Sequence, residues 1–342
     1  MKVFIIGPDY INFLYSLERT ISSLGCEVSS SSYRHPVKRN WLKRKLSNLG
    51  VGPSNIDYVN KYQCNYSDTT TEMVKTFAPD VLIILNGDFL HEHCLPELSK
   101  YSKRVVLYTL DAIYRFTGIN KILSIANKVV CMDERDIAYL KQKYPLLDVS
   151  SCQFGYDPEM FYPDKSVVKD VDISFIGAPT NNRKKILTQV ARFAHENKFN
   201  LAVYGTGYWD KRYWWKKRAF VKKYGYLFDY CSNNNVSAEQ AAEIYRHSKI
   251  CLNIHIEDHD IINNRCFEIP ACGSLMFCDV QPHLRKYLRP GLDYIEYGGD
   301  EIESLLTEYL SNENKRDLIL SSGCERINKH TVEKLARALL DI

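Results

Sequence analysis

The sequence predicts two doubly wound α/β domains in tandem, and three observations carry that expectation. The chain has 342 residues, about 2.3 times a 150-residue domain, so two domains are the starting point. Short apolar runs alternate with helical patterns, the mark of parallel strands covered on both faces. The alternation lapses at a proline-marked connection near residues 155–170 and then begins again.

In the first half, Lys2–Ile6 is an apolar strand closed by Gly7-Pro8. Ile11–Leu24 carries apolar residues at helical spacing up to Gly25, and Cys26–Ser31 is a weaker strand. Asp80–Leu85, Arg104–Thr109 and Lys128–Cys131 read as three further buried strands, the last followed by a helix over 133–144. In the second half, Asp172–Ile176 ends at Gly177 and opens a helix near Asn181. Leu201–Tyr204 runs into Gly205-Thr206-Gly207. Lys249–Ile254 and Ser274–Cys278 are two more buried strands, and Glu301–Leu310 and the stretch to Ile342 read as helices. The domains are therefore drawn as 1–160 and 161–342, with the last helix free to cross back to the first domain. Two such domains facing each other would create a cleft at the carboxyl ends of both sheets, the default place for a ligand.

Composition narrows the functional classes. Apolar residues are 45% and charged residues 25%, ordinary for a globular chain. Lys+Arg exceed Asp+Glu by 45 − 41 = 4, too little for a dedicated nucleic-acid binder. The apolar run at the amino terminus is too short for a signal peptide. No window approaches the length of a membrane span. The eleven cysteines are scattered without a C-x-x-C pair, the usage of a reducing compartment. A cytoplasmic location is the expectation. Cys266, Cys272 and Cys278 recur every six residues, but zinc sites bring closer pairs, so they are read as small buried hydrophobes. His255, Glu257, Asp258, His259 and Asp260 lack the H-E-x-x-H order, and no metal is expected there.

The densest chemistry lies between Asn253 and Asp279. A strand runs into a polar loop, Asn263 or Asn264 is placed to cap a helix, Arg265 stands in its first turn and Glu268 follows three residues on. Free amides at a helix start, reinforced by an Arg, suit a diphosphate. Pro270 limits that helix to about two turns. The plainer alternative is an ordinary capped helix with a solvated Arg–Glu pair.

The segment NNRCFEIPACG, 263–273, resembles the signature of the CgeB-like glycosyltransferases of spore-maturation type. That group is similar to the large retaining nucleotide-sugar glycosyltransferases of GT-B fold. The two acids that the larger group separates by seven intervening residues are kept here as Asp260 and Glu268, with Asp in the first place. Further segments follow in the same order: DISFIGAPTNNRKKIL at 172–187, AVYGTGYW at 202–209, VSAEQAAEIYRHSKICLNIH at 236–255, and GCERINKHTVEKLARALL at 323–340. FGYDPEMFYP, 154–163, resembles the interdomain connection, so the likeness covers most of 154–340.

The resemblance implies glycosyl transfer from a nucleoside-diphosphate sugar, UDP- or GDP-linked, without metal or other cofactor. It implies that Glu268 binds the donor ribose and that Arg183, with Lys184 a weaker match, lies against the pyrophosphate. The implied donor-facing set is Gly7, Gly177, Arg183, Lys184, Gly205, Asn253, His255, Asp260, Asn263, Asn264, Arg265, Phe267 and Glu268. The implied catalytic group is Asp111, Arg183, Arg265 and Glu268. Asp111 and Asp88 each stand just past a strand end, where related enzymes face the reacting sugar; capping the following helix is the alternative for both. Front-face retention is implied, with the acceptor proton passing to the leaving phosphate. The acceptor, whether a glycan, a lipid-linked glycan or a protein, is not named by the resemblance.

Two segments mix cations with aromatics. Arg34–Lys45 has six Lys/Arg around Trp41, and Tyr208–Phe228 has seven Lys/Arg and three Trp. Such mixtures suit an anionic membrane surface or a nucleic-acid backbone, and a solvated helix face is the bland alternative. A peripheral membrane contact is retained as an expectation; nucleic acid is not expected. Three rivals stand beside the transferase reading. They are a same-fold epimerase or phosphorylase, a non-catalytic nucleotide-sugar-binding or carbohydrate-binding protein, and a glycosyltransferase acting on nucleic acid.

Overall fold

Runs of β-branched and apolar residues form the central strands of two parallel sheets. The chain is seen in a computed structural model that describes residues 1–8, 12–33, 55–115, 118–256, 262–299 and 301–342. It divides into one unit of Met1–Phe154 with Val332–Ile342, and a second of Gly155–Thr331. The sequence places this division at 160/161; the structure places it six residues earlier.

In the first unit the strands are β1 (Lys2–Pro8), β2 (Glu27–Tyr33), β3 (Val81–Leu85), β4 (Arg104–Thr109), β5 (Lys128–Cys131) and β6 (Asp148–Ser151). Their spatial order is β2-β1-β3-β4-β5-β6, every neighbour parallel. Strand β3 (VLIIL) is buried along its whole length, as a central strand covered on both faces must be. The helices described here are α1 (Phe13–Ser23), α2 (Asn55–Phe77), α3 (Leu95–Lys100), α4 (Ile119–Leu123) and α5 (Arg135–Lys143). Helix α2 has no counterpart in the sequence reading. Its Asn, Thr and Tyr content blurs the apolar period, and its inner face is largely Ser67, Thr70, Thr71 and Val74. Strand β6 escapes as well, being short and half polar. Gly7-Pro8, expected to close the first strand, instead continues β1 and pairs with Ser32 and Tyr33.

The second unit contains β7 (Val171–Ile176), α6 (Asn181–Asn197), β8 (Leu201–Tyr204), α7 (Trp214–Tyr224), α8 (Leu227–Tyr230), α9 (Ala238–His247), β9 (Ser248–Asn253), α10 (Arg265–Ala271), β10 (Leu275–Asp279), β11 (Ile295–Tyr297), α11 (Ile302–Ser311) and α12 (Glu313–Ile327). Strand order is β11-β10-β9-β7-β8, again all parallel. Alternation along β9 and β10 sorts the core. Ile250, Leu252, Leu275 and Phe277 pack on one face, Cys251, Met276 and Cys278 on the other. All eleven cysteines are unbridged. Cys266, Cys272 and Cys278 are buried in the same apolar cluster, which explains their recurrence as packing.

Helix α13 (Val332–Leu340) returns to the first unit. Val332, Leu335, Ala336, Leu339 and Leu340 are buried, one helical stripe that packs on α1. Asp341 receives both Lys128 and Arg104, and Lys128 Nζ also donates to the Ala338 carbonyl at 2.7 Å. Within the second unit, Tyr156 N donates to the His330 carbonyl at 3.1 Å. Gly155 makes this approach feasible: its φ is +75° and an added Cβ would lie 2.1 Å from the His330 oxygen.

Candidate active site

Strand order in the second unit reverses between β7 and β9, because β8 lies on the far side of β7 and β10 on the far side of β9. In an open parallel sheet, the carboxyl ends of two such strands splay their connections apart and leave a crevice. The segments leaving β7, β8 and β9 bring Gly177, Arg183, Gly205, Arg265 and Glu268 into this region.

Strand β7 ends at Ile176, and α6 starts under a Thr180 side-chain cap on the Arg183 amide. Arg183 therefore sits in the first helical turn. Its side chain is 4% exposed, donating from Nε to the Ile254 carbonyl at 2.9 Å and from Nη1 to the Ala178 carbonyl at 2.9 Å. The guanidinium also lies over the Phe175 ring. Burial and the neighbouring positive charge of Arg265 push its pKa down to about 10, so it remains charged at neutral pH. Lys184 takes another course, placing its ammonium over the Tyr224 ring.

Arg265 approaches from the other side. Its Nη1 donates to the Ile176 carbonyl at 2.6 Å and its Nε to Asn263 Oδ1 at 3.3 Å. Among the described residues, neither guanidinium has a carboxylate within ion-pair distance. Two clustered cations supported by carbonyls form a positively charged corner among the described residues. Tyr208, within the AVYGTGYW segment but not among the implied site residues, completes the turn by donating its hydroxyl to the Gly177 carbonyl at 3.2 Å. Gly205 holds the same corner. At φ +140° its missing Cβ would stand 2.1 Å from the Gly177 oxygen.

Helix α10 presents Glu268 three residues after Arg265. The residue is 8% exposed, and the Arg265 Nε and Nη1 hydrogen bonds go to Asn263 and Ile176 rather than to its carboxyl. Among the described residues, no group donates a hydrogen bond to it. Burial pushes its pKa up to about 8, only partly opposed by Arg265. The solvated Arg–Glu pair considered from the sequence is thus replaced by a buried, unbridged acid. The expected cap is also different. Asn264 makes no side-chain cap, and the amides of Cys266, Phe267 and Glu268 go to the carbonyls of Asn263 and Asn264. Arg265 rather than free amides supplies the positive charge at this helix start.

Several residues implied as donor-facing are structural supports. Asn253 is fully buried, donating to Cys266 Sγ at 3.1 Å and accepting from Asn263 Nδ2 at 3.0 Å. Asn263 is therefore a strut between Asn253 and Arg265. Phe267 is a core ring edge-on to Tyr287 and beside His330. His255 is buried with Nδ1 2.7 Å from Asp279 Oδ1, while its backbone amide donates to the same carboxylate. Burial alone would lower the His255 pKa, but hydrogen bonds to Asp279 and Cys266 reverse this and bring it to about 9. The Asp279 role was not legible, since Asp279 lies 24 residues from His255. Asp260 lies outside the described residues.

Gly7 and Asp111 belong to the first unit. Gly7 lies within β1 against the Leu85 side chain. Asp111 follows β4, and its Oδ1 accepts from the adjacent Ala112 amide at 2.9 Å. Asp88 accepts from the Tyr33 hydroxyl at 2.9 Å.

Comparison with known proteins bears on the fold and the family. Residues 183–341 match the family model described as Glycosyl transferase-like. A search of curated protein sequences finds no significant match. Among solved structures, sucrose-phosphate synthase from Thermosynechococcus elongatus superposes with a TM-score of 0.68 at 13% identity, covering 100% of this chain and 98% of that one. HepE from Anabaena, solved with UDP and glucose, gives 0.67 at 10% identity, covering 100% and 98%. MnaA from S. aureus, solved with UDP, gives 0.60 at 12% identity, covering 100% and 97%. The fold is that of the GT-B glycosyltransferases, and the second half of the chain is glycosyltransferase-like in sequence.

Proposed function

We propose, from a GT-B fold and a glycosyltransferase-like second half, that this chain transfers a sugar from a nucleoside-diphosphate sugar to a hydroxyl-bearing acceptor. The observation that carries the reading is Glu268, a buried side chain without a donor to its carboxyl among the described residues, with Arg265 near it and Arg183 near Arg265, neither guanidinium ion-paired among the described residues. A ribose diol supplies two donors to one carboxylate, and a diphosphate supplies the missing negative charge. UDP is the favoured donor nucleotide, because HepE and MnaA of the same fold were solved with it. The closer likeness of NNRCFEIPACG to the CgeB-like group supports placing the chain in that branch.

In this mechanism the bond from the anomeric carbon to the diphosphate oxygen breaks as the acceptor oxygen attacks. Arg183 and Arg265 stabilise the charge that grows on the leaving diphosphate, a preorganised electrostatic role. The acceptor proton passes to the leaving phosphate oxygen, and front-face attack retains configuration. The site carries its own cations, so donor binding and turnover need no divalent metal.

Thermal shift and product release test this together. A UDP-sugar at 100 times its dissociation constant raises stability by about 2.7 kcal/mol, and UDP release from the productive donor–acceptor pair continues in EDTA. Stabilisation without release in any donor and acceptor screen would favour a binding protein. Activity lost to chelator and restored by Mn²⁺ would overturn metal independence.

A peripheral contact with anionic lipid rests on α7. Of its residues only Phe220 is buried, while Trp214 and Trp215 are 68% and 52% exposed beside Lys216, Lys217 and Arg218. Exposed indoles among cations match the interfacial zone of an anionic bilayer. The other basic segment, Arg34–Lys45, lies outside the described residues. Salt-sensitive sedimentation with phosphatidylglycerol vesicles is expected, reduced when Lys216, Lys217 and Arg218 become Gln and also by Trp214→Ala with Trp215→Ala. Equal recovery with neutral phosphatidylcholine vesicles, or none at low salt, would assign α7 to a solvated surface. Among the described residues, no helix is long and apolar enough to cross a membrane.

A further inference from the structure

A second cluster, in the first unit, has donor chemistry that the glycosyl-transfer reading does not use. Helix α2 places Cys64 and Asp68 four residues apart, on one helical face. The turn after β3 carries His91 and His93. Ser67, between the two helical positions, accepts the His91 amide on its hydroxyl at 2.9 Å and ties that turn to α2. The ligand atoms of Cys64, His91 and His93 all lie within 4.8 Å of one another.

The hydrogen bonds orient the imidazoles. His93 Nε2 lies 2.6 Å from Asp68 Oδ1, so its proton belongs on that nitrogen, pointing at the carboxylate. His93 Nδ1 is then turned inward. His91 Nδ1 accepts from the His93 backbone amide at 3.4 Å, a long contact that marks it as the unprotonated nitrogen and that a bound cation would displace. The two Nδ1 atoms are 2.7 Å apart. Two lone pairs at that distance repel unless a cation, either a proton or a metal ion, stands between them.

We propose that Cys64 Sγ, His91 Nδ1 and His93 Nδ1 bind a zinc-class divalent cation, with water in the fourth position. A thiolate and two imidazoles are borderline-soft donors of the kind Zn²⁺ takes. Tetrahedral zinc sets such ligand atoms about 3.3–3.8 Å apart, so the imidazoles separate slightly as the ion replaces the bridging proton. Asp68 is the outer carboxylate that fixes the His93 tautomer, the usual support of a metal-bound histidine. On binding, the Cys64 S–H bond breaks and sulfur keeps the electron pair as the Zn–S bond forms; the thiol proton and the proton shared by the two imidazoles both leave to water. The side chains of His93 and Asp68 are 42% and 66% exposed, giving the ion an entry path. The ion would clamp the middle of α2 to the turn after β3. This inference stands independently of the reading of Glu268 and Arg265.

Cobalt titration of the full chain, without an affinity tag and in reducing buffer cleared of chelator, tests the site. About one equivalent of Co²⁺ is expected to give a thiolate-to-cobalt charge-transfer band and the strong visible bands of tetrahedral cobalt, both bleached by Zn²⁺. Cys64→Ser is expected to abolish the charge-transfer band, and His91→Ala or His93→Ala to abolish tight binding. Asp68→Asn is expected to weaken binding by roughly 10- to 100-fold. Circular dichroism melts establish that each variant is folded. As a check on the unmodified chain, Zn²⁺ should protect Cys64 from alkylation, read by peptide mass spectrometry. A charge-transfer band that survives Cys64→Ser in folded protein, no band in the unmodified chain, or alkylation of Cys64 indifferent to Zn²⁺ would overturn the assignment.

Discussion

Glu268→Ala is expected to lose the ribose-dependent part of donor affinity, roughly 1.5–3 kcal/mol for a charged hydrogen-bond pair. Glu268→Gln should lose less, since it keeps one acceptor and the shape. The decisive comparison uses 2′-deoxy and 3′-deoxy donors. Each should bind the unmodified chain more weakly, yet lose little further affinity in the Ala variant, because the partner is already gone. That is a double-mutant cycle with the ligand as one partner. Additive losses, in a variant that still melts cooperatively, would show no direct contact and remove Glu268 from the site.

The buried carboxyl also carries a pH signature. Its folded pKa, about 8, stands above the ordinary glutamate value of 4.5. A raised folded pKa means that the protonated acid is the form the fold favours. Its contribution to stability is fully present below the unfolded value and is lost as pH rises through about 8. Removing this acid should therefore flatten the fall in thermal stability between about pH 4.5 and 8. A ribose that prefers the carboxylate should expel a proton on binding near neutral pH. Calorimetry in buffers of different ionisation enthalpy reads that proton, and Glu268→Gln should reduce it.

Arg265→Ala is expected to cost turnover more than donor binding. If the guanidinium meets charge that develops on the leaving diphosphate, its loss should lower kcat by roughly 10²–10³-fold, the scale for a preorganised electrostatic donor. Arg183→Ala serves as the comparison. It should weaken UDP binding by roughly 1.5–3 kcal/mol, the range of a charged hydrogen bond, and leave uridine binding nearly unchanged. Arg183 also supports the Ile254 and Ala178 carbonyls, so melting curves must accompany the measurement. Equal losses for UDP and uridine would make Arg183 a scaffold residue. An unchanged kcat in folded Arg265→Ala would remove it from the leaving-group site.

The elements read correctly from the sequence share a physical cause. Strands β3, β4, β5, β7 and β9 are central, and their apolar runs record burial on both faces. Strands β6 and β11, which the sequence does not show, are short and lie at sheet edges; the edge strand β8 is legible because Leu201–Tyr204 keeps a continuous apolar run. The same contrast holds in the site. Arg183, Arg265 and Glu268 are polar residues in ordered motifs, whereas the parts played by Tyr208 and Asp279 show only in their contacts with Gly177 and His255. Asn253 and Phe267 fall in the same motif as Arg265, yet they are struts and core. A motif specifies which residues stand together, not which of them turn inward.

The sequence by itself determined the two α/β halves, the strands at the heart of each sheet and the Arg265–Glu268 segment. Those features are local: they depend on apolar period, strand length and spacing along one stretch of chain. Tertiary structure decided which charges lack partners. Glu268 is raised toward neutrality because packing removes water from it, and Arg183 and Arg265 share a corner because β7 and β9 are neighbours. Cys64 meets His91 and His93 only because α2 lies beside the turn after β3. Burial and proximity are properties of the folded surface, and residues tens of positions apart acquire them only when the sheets close.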